Sequence, residues 1–191
     1  MNIRNAIALL GLLAFACTTN GGRSDLVITK VVEATGGGTG PCIFSSSTDE
    51  LALSTIDPAA NVGEVAAVVK NNLLDPSAIN PDLYTNSAQF QPHQVVVSYE
   101  ALPRAPGAAA PYVIPQQIIA AGGVVVPQGG TGTVAAALFL PGVLPAGFAA
   151  GDIIRTSFHV EGKLADGRTV STSQREYLFR ICTGCATNVC L

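Results

Sequence analysis

Hydrophobic and polar residues alternate most regularly over residues 154–164. Ile154, Phe158, Val160 and Leu164 occupy even positions there, and Arg155, Ser157, His159, Glu161 and Lys163 odd ones. A two-residue period sends the two sets to opposite faces of a half-buried strand. Asp166-Gly167 supplies a turn. A partner strand over residues 168–182 then places Tyr177, Phe179 and Ile181 on one face and Glu176 and Arg180 on the other.

Shorter runs precede this hairpin. Residues 26–32 read as a first strand, ended by Gly36-Gly37-Gly38-Thr39-Gly40-Pro41, and residues 50–56 as a second, closed by Asp57-Pro58. The apolar stretch 63–69 predicts a buried third strand that stops at Asn71-Asn72. Residues 80–94 are polar and contain Pro, which predicts a loop carrying Tyr84 and His93, and residues 94–102 form a β-branched strand through Val95-Val96-Val97. Strands of this length with polar turns between them predict an all-β fold, an immunoglobulin-like or related antiparallel β-sandwich. The order of the strands does not follow from the pattern.

No charged residue lies between Arg104 and Asp152. Pro141 and Pro145 rule against a membrane-spanning helix there. Two readings stay open for residues 105–151: core strands joined by apolar loops, or an uncharged face that meets a protein partner or the lipid.

Composition narrows the class. Of 191 residues, 48% are hydrophobic and 12% charged, which excludes a disordered chain. A net charge of −3 and a pI near 5.2 leave no basic field for phosphate backbones, so nucleic acid is not an expected partner.

The N-terminus has the layout of an export signal: Arg4, then an apolar run over residues 6–15, then Ala16 and Cys17. The run is roughly half of what a helix needs to cross the hydrocarbon core, so cleavage is expected rather than a permanent span. Ala14-Phe15-Ala16-Cys17 resembles the lipobox of bacterial lipoproteins, in which the Cys becomes the first mature residue and receives acyl chains. Ala14 stands where that family usually has Leu, and Phe15 where it has a small residue. Ala14-Phe15-Ala16 is also an A-x-A site for ordinary signal peptidase, cutting the same bond. The layout and the resemblance imply a signal peptide over residues 1–16 and a lipid-anchored tether over 17–25, and length with the strand pattern predicts a single β-sandwich domain over 26–191. Thr18 after the Cys is not the usual inner-membrane retention residue, which implies the outer membrane of a Gram-negative envelope.

Cysteine arithmetic agrees with acylation. With Cys17 lipidated, Cys42, Cys182, Cys185 and Cys190 form an even set, as two disulfides require in an oxidising compartment. Cys42 with Cys182 and Cys185 with Cys190 is the preferred pairing; the first would close a loop of about 140 residues and stabilise by up to ~5 kcal/mol. Cys42 with Cys185 or Cys190 stays open. The Cys182-Thr183-Gly184-Cys185 spacing is that of redox sites, but it ends a strand rather than starting a helix. Zinc would need a second such knuckle, which the sequence lacks.

Catalytic signatures are missing: there is no G-x-S-x-G, H-E-x-x-H, Walker or EF-hand pattern, and the only histidines are His93 and His159. His159 is expected to be solvated on the polar face of its strand. The 26–32 strand, Cys42, Val68-Val69-Lys70-Asn71-Asn72-Leu73, Thr85-Asn86 before a valine strand, and the Cys-rich tail together resemble envelope lipoproteins of delta-proteobacteria such as myxobacteria. That resemblance carries no activity with it. The expectation is a non-catalytic envelope component without cofactor or metal, held to the membrane through Cys17 and docking to an envelope protein. A binding protein for a glycan or other small ligand is the alternative, and a hydrolase ranks third. A cleft lined by His93 and carboxylates would favour these last two.

Overall fold

A computed structural model describes residues 25–35, 43–44, 53–57, 63–73, 88–105, 109–140, 142–143 and 147–183. Among the described residues the chain forms strands only: β1 (Leu26–Thr35), β2 (Ile43–Phe44), β3 (Leu53–Ile56), β4 (Gly63–Asn71), β5 (Phe90–Ala101), β6 (Gln117–Ala120), β7 (Gly122–Gly123), β8 (Thr131–Phe139), β9 (Ile153–Leu164), β10 (Thr169–Ser171) and β11 (Arg175–Ile181). They build two sheets, ordered β2-β1-β4-β8-β7 and β3-β11-β9-β5-β6, with β10 also on β9. Neighbours are antiparallel except β3 and β11, which run parallel. The fold is an all-β sandwich. None of the described residues forms a helix long and apolar enough to cross a membrane.

The core lies between the sheets. Val31, Val65, Ala67, Val69, Val134, Leu138 and Phe139 come from the first sheet, and Val95, Val97, Ile154, Phe158, Val160, Tyr177, Phe179 and Ile181 from the second; all are buried. On β9 every even position from Ile154 to Leu164 is buried, and on β11 Tyr177, Phe179 and Ile181 are buried while Glu176 and Arg180 are exposed. The two-residue period therefore predicts both faces of this hairpin. In β4 all of Val65 to Val69 is buried, as a strand central to its sheet should be.

Aromatic rings join the layers. Phe139 of the first sheet meets Phe179 of the second edge-on, with centroids 5.1 Å apart at 85°, an arrangement the ring quadrupoles favour. Tyr99 packs on Phe139 with centroids 4.9 Å apart, and its Oη donates a 2.6 Å hydrogen bond to the Leu138 carbonyl across the sheets.

Two expectations about loops and strand continuity need correction. The loop expected over 80–94 is strand from Phe90 onward; residues 80–87, with Tyr84, lie outside the described residues. Pro92 misleads because a proline cannot donate to a ladder, but here it sits where the β5–β9 register shifts between Pro92 and Gln94. His93 is the extra residue of that bulge.

The expected strand over 168–182 is likewise interrupted. β10 pairs Thr169 with Lys163, whereas β11 resumes with Arg175 opposite Phe158, one residue out of step. Thr172 makes the break: its N–H donates to Val160 O at 2.9 Å, and its Oγ1 accepts from Val160 N at 3.0 Å. Ser173 then turns to the other sheet, its N–H donating to Leu26 O at 2.8 Å and its Oγ accepting from Ile28 N at 3.3 Å.

Candidate functional site

The uncharged stretch does two things at once. It supplies β6, β7 and β8 and buries Ile114, Ile119, Val126, Val134, Leu138 and Phe139. It also carries every large hydrophobic residue that is exposed among the described residues: Val113, Ile118, Val124, Val125, Leu140 and Phe148, from 37% exposed at Leu140 and Phe148 to 85% at Val113. Single apolar side chains scattered on a surface mean little; what these six share is one uncharged segment of the chain.

Of the six, Ile118 alone lies within a strand, and the others stand in the connecting segments. β6 is the outer strand of the second sheet and β7 of the first, and they follow one another in the chain with Ala121 between them. Ile118 lies opposite Val96 in the β5–β6 pairing and is exposed on the edge strand, while its neighbour Ile119 is buried. Gly123 is required where β7 reaches β8, because a Cβ there would come within 3.0 Å of Thr133 O and 3.1 Å of Val134 Cα. Leu140 and Phe148 stand apart from these, after the other end of β8.

Beside Phe148 the two charges that bracket the uncharged stretch meet. Arg104 Nε donates to Asp152 Oδ1 at 2.7 Å and its Nη2 to Oδ2 at 2.8 Å, a two-pronged pair. The same Nη2 reaches Gly147 O at 2.8 Å. The buried Asp152 carboxylate also accepts from Ala149 N at 2.8 Å and from Tyr112 Oη at 3.2 Å. This clasp ties the segment after β5 to the one before β9. A cleft of about 490 Å³ opens over it, lined by Leu102, Pro103, Arg104 and residues 149–153. Sequence reasoning marks Arg104 and Asp152 only as the limits of the uncharged run; that they close it into a loop is visible only in three dimensions.

The hydrogen bond from Arg104, aided by those from Ala149 and Tyr112, holds the Asp152 carboxyl down to about 2, while burial beside that carboxylate pushes the Tyr112 phenol up to about 12. A carboxyl whose folded value lies below its unfolded one stabilises the fold above the unfolded value, near 4, and ceases to as pH falls toward 2. Asp152→Asn should therefore flatten the loss of stability between about pH 4 and 2. Urea midpoints across that range check it, and equal acid slopes for the two proteins would count against the clasp.

The second sheet carries a polar constellation on its outer face. Glu161 is fixed from two sides: Gln94 Nε2 donates to its Oε2 at 2.6 Å, and His159 Nε2 lies 3.2 Å from its Oε1. The Gln94 hydrogen bond, with a smaller share from His159, holds this carboxyl below its usual range. His93, Gln94, Glu161, Gly162, Lys163 and Thr169 line a shallow cleft of about 310 Å³. His159 is not simply solvated: it is half-buried and engaged by Glu161. His93 reaches the cleft because the bulge at Pro92 presents it there. A fixed carboxylate, an imidazole and an ammonium around one depression can hydrogen-bond a small polar ligand. Among the described residues no group of three or more His, Cys, Asp or Glu is placed to hold a metal ion.

Of the cysteines, Cys182 follows β11 and donates its N–H to Ile56 O at 2.9 Å. Cys17, Cys42, Cys185 and Cys190 lie outside the described residues. No protein-family model, no curated protein and no solved structure matches the chain.

Proposed function

We propose that the chain is a non-catalytic, lipid-anchored envelope protein whose β-sandwich docks to another envelope protein. The single observation that carries this reading is the confinement of all exposed large hydrophobics of the described residues to the uncharged 105–151 stretch. A segment that carries no charge of its own and offers apolar side chains is suited to a partner. The anchor rests on the export-signal layout ending at Cys17 and on its resemblance to a lipobox; the outer membrane is the location it implies. A disulfide staple belongs to the same proposal. It is supported by the even set of cysteines that remains once Cys17 is acylated and by the place of Cys182 beside Ile56 at the end of the sheet.

Crosslinking and pull-down of the membrane-held protein test the reading. A defined envelope partner is expected, with recovery falling at least tenfold in Phe148→Asp, since a central apolar anchor contributes about 2 kcal/mol or more. Recovery of lipid and monomer alone would remove the support.

A second reading, binding of a glycan or other small polar ligand, is favoured by the cleft that joins His93 to the Glu161 carboxylate. It ranks below the first because both Glu161 oxygens are already engaged, by Gln94 and His159.

A further inference from the structure

The end of the sandwich at which the first strand begins brings several segments together. Asp25 O accepts from Asn72 N at 2.7 Å, Leu26 O from Ser173 N at 2.8 Å, and Gly130 O from Asn71 N at 3.0 Å. The turn over residues 127–130 is therefore beside the point where the chain arrives at β1. Val124 and Val125 lead into that turn from β7, within two or three residues of it, and remain 61% and 46% exposed. Lys70 stands opposite Thr131 at the same level, and the tip of the β9–β10 hairpin adds Lys163 and Arg168. Among the described residues the acidic groups there are Asp25, Asp166, which is paired with Arg168 at 2.7 Å, and Glu161, which shares a cleft with Lys163 and is held by Gln94 and His159.

The chain before Asp25 limits what can cover this end. On the lipid-anchor reading above, on which this inference rests, residues 18–24 connect the acylated Cys17 to the sandwich, and fully extended they span at most about 25 Å. A body tethered that closely at one end has that end at the bilayer. No charged residue between Arg104 and Asp152 has to be desolvated when Val124 and Val125 approach hydrocarbon. With that end at the bilayer, Lys70, Lys163 and Arg168 would fall near the level of the lipid phosphates.

We propose that this end of the sandwich rests on the bilayer that holds the acyl chains, with Val124 and Val125 seated at the boundary between headgroups and acyl chains. β8 then runs from Thr131 near the membrane to Phe139 away from it. Leu140 and Phe148, beyond its far end, are left facing outward for the docking partner.

The chain contains no Trp, so a single introduced Trp reports on its own site. Val124→Trp and Phe148→Trp replace exposed side chains. Each variant is prepared as acylated full mature protein in vesicles of phosphatidylethanolamine and phosphatidylglycerol with brominated acyl chains. Fluorescence at position 124 is expected to be quenched about threefold or more and at position 148 hardly at all. Val125→Trp serves as a second reporter should the first variant fail to fold. An unquenched Trp at 124 or 125 in protein that floats with the vesicles, or equal quenching at 148, overturns the orientation while leaving the anchor intact. Protein that does not float and shows an unmodified Cys17 by intact mass spectrometry overturns the anchor, and the orientation with it.

Discussion

Gly162→Ala is expected to destabilise the sandwich by about 3 kcal/mol, and Gly162→Val to prevent folding, although neither change touches an exposed group. Gly162 occupies a buried even position of β9, opposite Pro92 at the β5 bulge. A Cβ there would collide with the Gln91 carbonyl oxygen, and would stand 2.6 Å from Phe90 Cε2 and 2.9 Å from the Gln91 carbonyl carbon. The Phe90 ring is itself fully buried and cannot swing aside. Two of the three obstacles are backbone, so relief requires β5 and β9 to part where they pair over their whole length. Denaturant midpoints read the effect, with an unchanged m-value showing that the unfolded state is not responsible. A Gly162→Ala protein within about 0.5 kcal/mol of wild type would show that the bulge yields freely, contrary to the close approach.

Cys17→Ser is expected to move the protein almost completely from the membrane to the soluble fraction. Each buried methylene of an acyl chain contributes about 0.8 kcal/mol, so several chains hold a protein where one is marginal. Val124 and Val125 together, each at most about 2 kcal/mol when fully buried, cannot substitute. On the proposed anchoring, the lipid would set residence and the two valines only orientation. Fractionation reads the change, and the mass spectrum of the wild-type protein should show acylation at Cys17. Reduction should add four hydrogens if Cys42, Cys182, Cys185 and Cys190 form two disulfides. Cys17→Ser protein that still sediments with membranes would show that some other surface holds it there.

Legibility in the sequence followed from how local each signal was. The faces of β9 and β11 were readable because one inward and one outward residue alternate without exception over the paired stretch. The buried β4 was readable as an unbroken apolar run bounded by Gly63 and Asn71-Asn72. Pro92 hid the start of β5, since only the partner strand reveals that a bulge excuses its missing donor. Thr172 and Ser173 look like ordinary strand residues, and their crossing from one sheet to the other depends on Val160, Leu26 and Ile28. At the candidate site, residues 105–151 supply both core and exposed positions, because their strands bury one side while β6 and the connecting segments leave Ile118 and five further apolar side chains exposed. The Arg104–Asp152 clasp and the meeting of His93 with Glu161 join residues 48 and 68 positions apart, beyond the reach of any periodicity.

Among the described residues, β6 and β7, each outermost in its sheet, are only four and two residues long. Unpaired strand borders are templates on which like molecules can add without limit. A protein confined to a plane meets its own kind far more often than one free in solution. Borders this brief offer too few successive amides to start a fibre, so copies that the proposed anchor would crowd on one patch of envelope should not add to one another along β6 or β7.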